Sequence, residues 1–111
     1  MGETVLAGMG KRILERRKTL GLSQEELAER ADITKQTVSR VENNQRELGA
    51  GNLLKIANAL DISTDYLLTG QYTGADVQIL NQKVSNLTNR QHRFLEDFIK
   101  KFAEMCKEGF I

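Results

Sequence analysis

Residues 23–44, SQEELAERADITKQTVSRVENN, constrain this chain more than any other stretch. Ser23 followed three residues later by Glu26 is an S-x-x-E capping box. In that arrangement the hydroxyl accepts from one orphan amide of the first helical turn and the carboxylate accepts from the N-cap amide. A short helix then runs to about Ala31. Asp32 and Ile33 form a turn, since aspartate is one of the few non-glycine residues that tolerate left-handed backbone. Thr34 caps a second helix that ends near Glu42 or Asn43. Its Val38 and Val41 face inward, so Lys35, Gln36, Thr37 and Arg40 are left on or near the opposite side, a face suited to a planar, polar target.

The rest of the composition fits a helical protein. The chain has 111 residues, no proline and few aromatics, and it is rich in good helix formers. The single cysteine, Cys106, allows no intramolecular disulfide framework and no cysteine metal cluster, so a reducing, cytoplasmic setting is expected. No apolar run approaches the roughly 20 residues of a membrane span, and no basic-then-apolar leader opens the chain, so no membrane partner is expected. Leu6 stands where a myristoylation signal needs Ser or Thr. Residues 1–70 hold ten Lys/Arg and ten Asp/Glu, and the net charge is +1. A nucleic acid could therefore not be held by a bulk positive field; it would need a local arrangement of charge.

Along the chain, residues 1–8 read as a frayed lead-in. A helix follows from about Met9 to Leu20, with Ile13 and Leu20 two turns apart and Arg17 between them. Gly21 ends it. The interval from Asn43 to Gly51 is a loop. Residues 52–60 form a helix with Leu53, Ile56, Ala57 and Leu60 on one stripe, Asp61 and Ile62 repeat the earlier turn chemistry, and Ser63 caps a short helix ended by Gly70. Five short helices thus share a core of Ile13, Leu22, Leu27, Ile33, Val38, Val41, Ile56, Leu60, Ile62 and Leu67. This gives a first domain at 1–70, a linker at 71–74 and a helical segment at 75–111. In that segment Val77, Leu80, Val84 and Leu87 are spaced 3, 4, 3 like a heptad seam. Thr88 and Gln91 form a second capping box. Behind it Phe94, Leu95, Phe98, Ile99, Phe102, Met105 and Cys106 make an apolar stripe too wide for an isolated helix in water. Such a stripe must pack on the first domain or on a second copy.

Three runs, LSQEELA at 22–28, TKQTVSRVEN at 34–43 and ALDISTDYLLTG at 59–70, occur in the order and spacing of one family. With them the chain resembles the helix-turn-helix domain of Cro/CI-type phage repressors, the XRE family, over about 60 of its 111 residues. The resemblance implies an all-α, five-helix, lambda-repressor-like domain that binds double-stranded DNA. It implies that Lys35, Gln36, Thr37 and Arg40 enter the major groove, where Gln matches adenine, Arg or Lys matches guanine and a Thr methyl meets a thymine methyl. Lys35 and Arg40 could each take a phosphate instead. Gln24 at a helix N-terminus, with Ser23, and the loop residues Asn43, Asn44, Gln45 and Arg46 match phosphate-contacting positions, which set register. Arg17 and Glu42 match a structural salt bridge.

Asp32 and Asp61 depart from the family's usual glycines, at roughly 1 kcal/mol of strain each. The usual E-N-G is here E-N-N. Residues 71–111 do not resemble the serine–lysine peptidase domain of self-cleaving repressors, so induction by autocleavage is not expected.

The leading expectation is a homodimeric transcriptional regulator, acting as a repressor on a palindromic operator. Val77, Leu80, Val84, Leu87, Phe94, Leu95, Phe98, Ile99, Phe102 and Met105 would join the copies. The alternative is an antitoxin-like or anti-repressor-binding module whose stripe engages a toxin or another protein. A plain solvated helical bundle is the bland reading of the same periodicity. There is no nucleophile–base pair, metal-ligand spacing or glycine-rich phosphate loop, so no catalytic residue, cofactor or metal is expected. His92 stands alone on a polar flank, and Cys106 is read as a buried small hydrophobe.

Overall fold

The computed structural model describes the backbone of residues 2–45 and 48–109, with side chains from Gly8 onward. Seven helices follow one another among these residues: α1 (Gly2–Thr19), α2 (Gln24–Ala31), α3 (Lys35–Glu42), α4 (Ala50–Ala59), α5 (Thr64–Thr69), α6 (Gly74–Ser85) and α7 (Asn89–Lys107). The chain divides into two compact units, and the division falls between Ile79 and Leu80, inside α6.

One device shapes the first unit four times over. At the end of α1, the Gly21 amide donates to the Lys18 carbonyl and the Leu22 amide to the Arg17 carbonyl. The same paired bonds close α2 at Asp32 and Ile33, α3 at Asn44 and Gln45, and α4 at Asp61 and Ile62. This is the Schellman motif, and it needs left-handed backbone at its pivot. Gly21 has φ 71°, Asp32 55°, Asn44 59° and Asp61 52°. In three cases the residue after the pivot is apolar and turns into the protein: Leu22 and Ile62 are buried and Ile33 is partly so. Each helix is thereby stopped and its successor aimed at the core. Side chains cap the next start in three places, with Ser23, Thr34 and Ser63 each accepting an amide of the first turn.

The core holds Met9, Ile13, Leu22, Leu27, Ala28, Ala31, Val38, Val41, Ile56, Ala57, Leu60, Ile62 and Leu67. Nine of the ten residues expected from sequence are in it; Ile33 packs against its edge. Met9 joins it too: sequence places Met9 at the very start of the first helix, whereas α1 begins at Gly2 and so holds Met9 well inside it. Helix α1 packs on α3 and α5, α2 on α3 and α4, and α4 on α5. Gly10 permits the first of these approaches: a Cβ there would lie 2.4 Å from the Val41 carbonyl oxygen.

Two arginines of α1 tie the far helices down. Arg12 donates from Nε to the Leu67 carbonyl (2.9 Å) and from Nη2 to that of Leu68 (3.0 Å). Arg16 does the same for Leu60 (2.9 Å) and Asp61 (3.3 Å). These carbonyls lie at or just past the C-terminal ends of α5 and α4, where helices lack internal donors and favour a cation.

The first unit extends past Gly70. Asp76, in the first turn of α6, accepts from the Ser63 amide and hydroxyl, both at 2.7 Å, and from the Thr73 amide at 2.9 Å. One carboxylate thus serves the N-termini of α5 and α6 together. Tyr72 stacks on Tyr66 at 4.5 Å between ring centroids.

In the second unit, α6 ends at Ser85, so Leu87 sits in the turn and not on the helix. The 3, 4, 3 spacing therefore does not form one continuous helical seam. Thr88 and Gln91 form the expected capping box of α7. Phe94, Phe98, Ile99, Phe102 and Met105 are exposed, as are Val77 and Leu80 on α6. Cys106, expected to be buried, is exposed as well.

Candidate nucleic-acid interface

Helix α3 is anchored at both ends. At its start the Thr34 hydroxyl oxygen accepts from the Thr37 amide at 3.1 Å and lies 2.8 Å from the Thr37 hydroxyl. At its end Glu42 is held by three donors: Arg17 Nε (2.7 Å), Arg17 Nη2 (3.0 Å) and Gln24 Nε2 (2.9 Å). The Glu42 side chain is only 2% exposed. Arg17 also donates from Nη1 to the Leu22 carbonyl, so one guanidinium joins the end of α1, the following turn and α3. The hydrogen bond to Glu42 holds the Arg17 pKa above its ordinary value, more than offsetting the opposing effect of burial. Such a pair is stable only when the remaining donors and acceptors are also met, and here Gln24 and Leu22 meet them.

Between these anchors Val38 and Val41 are fully buried. Lys35, Gln36 and Arg40 are exposed, and Gln36 and Arg40 stand one turn apart on one face. Ser39, half-buried, lies beside them at the spacing that shares that face. Thr37 does not belong to it. It is 8% exposed, with its hydroxyl shared with Thr34, because it sits a turn away from Val41 on the inward side. The expectation that its methyl faces outward is corrected: Thr37 is part of the helix start.

The surrounding positions fall as follows. Ser23 is in its capping box with Glu26, at 3.0 Å in both directions. The hydrogen bonds from the Ser23 backbone amide and side chain hold the Glu26 pKa below its ordinary value. Gln24 opens α2 with one amide hydrogen committed to Glu42. Asn43, Asn44 and Gln45 are exposed beyond the end of α3, and Asn44 supplies the left-handed pivot that E-N-N leaves to asparagine in place of glycine. Arg46 lies outside the described residues. Lys35 pairs with Glu25 across the α2–α3 junction, Nζ to Oε1 3.1 Å, an exposed contact that sequence reading did not find because the partners are ten residues apart on different helices. Arg40 has no side-chain partner among the described residues.

The surface thus presents amide, guanidinium and ammonium groups from a helix whose opposite side is locked into a core. No group of three or more His, Cys, Asp or Glu among the described residues is placed to hold a metal. No helix among them is long and apolar enough to cross a membrane.

Comparison with known proteins decides the family. A helix-turn-helix family model matches residues 13–67. The prophage-derived HTH-type transcriptional regulator YonR of Bacillus subtilis is 36% identical over 73 residues, 65% of this chain and 68% of that protein. The chain belongs to the helix-turn-helix family of transcriptional regulators. Within it, the regulator ImmR of Bacillus subtilis is 40% identical over 60 residues, 54% of this chain and 47% of ImmR. The chain therefore spans about half the length of that relative. Among solved structures, the P22 c2 repressor in complex with a synthetic operator superposes with a TM-score of 0.55 at 38% identity, covering 57% of this chain and 96% of the repressor chain. The SinR protein/SinI protein complex also gives 0.55, at 28% identity over 86% of this chain and 98% of the matched chain. The fold is that of the repressor DNA-binding domain, and the relatives are HTH-type transcriptional regulators and a phage repressor.

Proposed function

We propose that this chain binds double-stranded DNA sequence-specifically through α3 in the major groove, and that it represses transcription as a homodimer on a palindromic operator. The observation that carries this reading is the pairing of an exposed Lys35–Gln36–Arg40 face with a locked inner side. A recognition helix must not move relative to its domain, and Arg17, Gln24 and Glu42 together with Val38 and Val41 meet that requirement. Gln36 pairs with adenine and Arg40 or Lys35 with guanine or phosphate; Ser23, Gln24, Asn43, Asn44, Gln45 and Arg46 hold the backbone on either side.

Dimerisation follows from charge as much as from the exposed stripe. Lys35 on this face and Arg17 behind it have acidic partners, and Arg12 and Arg16 of α1 are committed to helix ends, which leaves Arg40 as the arginine offered by α3. One domain with ten Lys/Arg balanced by ten Asp/Glu over residues 1–70 binds DNA weakly, and two copies on half-sites about 34 Å apart add their contacts. Val77, Leu80 and Val84 of α6, Leu87 of the turn, and Phe94, Leu95, Phe98, Ile99, Phe102 and Met105 of α7 supply the surface between copies.

Selection of bound sequences from a random duplex pool tests this reading. A palindromic consensus with half-sites one helical turn apart is expected. Recovery of no consensus would contradict it. Gln36→Ala and Arg40→Ala should each cost about 1–3 kcal/mol and relax preference at one position.

A second reading has one observation in its favour. The SinR/SinI structure contains two different proteins, and this chain covers nearly all of the matched chain. On that reading the α7 stripe meets a different protein, and the purified chain should behave as a monomer until that protein is added.

A further inference from the structure

The face assigned to DNA carries a carboxylate that the reading above leaves without a role. Glu25 lies in the first turn of α2, exposed, with Oε1 3.1 Å from Lys35 Nζ. Lys35 is the first residue of α3, also exposed, and it stands next to Gln36. Gln24, the other neighbour in the cluster, turns its amide to Glu42 instead. A negative group here is costly on a surface offered to a polyanion. As a contribution to folding the exposed pair counts for little. Its consequence lies in what it does to Lys35.

Lysine is a compact charge on a flexible stem, able to swing to whichever phosphate is nearest, whereas arginine presents a fixed planar fork. Left free, Lys35 would strengthen binding to any duplex equally. Tied to Glu25, it adds little net charge to a non-specific complex. Arg40 has no such partner among the described residues.

We propose that Glu25 is a specificity-determining residue, which withholds the Lys35 ammonium from indiscriminate phosphate contact. This rests on the DNA-reading role proposed for α3. On a random duplex the Glu25 carboxylate keeps Lys35, and it also repels the adjacent phosphates. On the operator, closely placed acceptors such as guanine O6 and N7 compete with Glu25 for the ammonium. Discrimination thus comes from a repulsive element built into the face as well as from its attractive contacts.

The test measures the affinity of the full chain for a random duplex and for its selected operator across a salt series, with Glu25→Gln, Lys35→Ala and the double variant beside the parent. Circular dichroism of each variant checks the fold. Glu25→Gln should tighten random-duplex binding roughly three- to tenfold and steepen the slope of log affinity against log salt by about one, the signature of one more phosphate contact. Operator affinity should rise by less, so the specificity ratio falls. In the Glu25→Gln/Lys35→Ala variant the extra slope should disappear, which assigns the effect to the released lysine. An unchanged slope in Glu25→Gln, or an extra slope that persists in the double variant, overturns the proposal while leaving the DNA reading intact. A parent chain that binds no duplex at low salt overturns the DNA reading and this proposal with it.

Discussion

The two units of this chain handle apolar side chains in opposite ways. In the first, Ile13, Leu27, Val38, Val41, Ile56, Leu60 and Leu67 are completely buried, and both ends of α2, α3 and α5 and the C-terminal ends of α1 and α4 have a side-chain, backbone or arginine partner. In the second, Phe94 and Phe98 are 65% and 64% exposed, and α7 contributes no buried residue. The helix of the second unit is well capped and strongly two-faced, so it is not poorly formed. The contrast teaches that local helix signals and a closed core are separate requirements. The first unit meets both within one chain, and the second meets only the first. In the proposed function that division of labour has a use: a self-sufficient domain reads DNA, and an unfinished surface brings a second one.

The contrast is most sharply tested by truncating one buried and one exposed residue. Leu27→Ala should cost the first unit about 2–5 kcal/mol in denaturant unfolding, the range for a large core side chain. Phe98→Ala should change that transition by no more than about 0.5 kcal/mol at concentrations where the chain is monomeric. Equal losses would show that the stripe belongs to the same core as Leu27. Next in size is Glu42→Gln, which removes the charge opposite Arg17; about 2–3 kcal/mol is expected, within the range for hydrogen bonds to charged groups. A negligible effect there would mean that α3 is held by packing alone.

Asp76 supplies a smaller, pH-dependent effect. Burial by itself would raise its pKa, but the hydrogen bonds from Ser63 and Thr73 outweigh that and hold it below its ordinary value. A carboxylate with a depressed folded-state pKa stabilises the fold fully above the ordinary carboxylate range and loses that contribution as pH falls toward the folded value. Asp76→Asn should therefore cost about 1 kcal/mol at neutral pH, and the gap from the parent should shrink on acidification through that window. A gap constant with pH would remove the carboxylate from the account. Smallest of all, Asp32→Gly should raise stability by up to about 1 kcal/mol by relieving the φ of 55° at that pivot. Destabilisation would mean that the aspartate side chain contributes more than its backbone costs.

How far the sequence could be read depended on how near each group's partner lies. Ser23 with Glu26 and Thr88 with Gln91 are three residues apart, so capping chemistry alone finds them. The pivots at Gly21 and Asp32 and the inward Val38 and Val41 follow from residue type and period. Arg12 and Arg16 did not reveal themselves, because the carbonyls they cap lie 44 to 56 residues further on and any exposed lysine-like role fits the same pattern. Asp76 was hidden in the same way: the change of composition at 71–74 suggests a linker, while the bonds to Ser63 keep the first turn of α6 with the first unit. Thr37 was misplaced because a half-turn at a helix start decides whether a threonine looks out or in, and the shared hydroxyl contact with Thr34 decides it here. Leu87 kept the seam's spacing but fell beyond the end of its helix.

Sedimentation velocity of the full chain bears most directly on the claim that the second unit is completed by a second copy. The account predicts a dimer, twice the 12.5 kDa chain mass, at micromolar concentration, and dissociation when Phe98 and Phe102 are both replaced by alanine. A parent chain that sediments at 12.5 kDa throughout that range, with its α7 stripe still exposed, would contradict it.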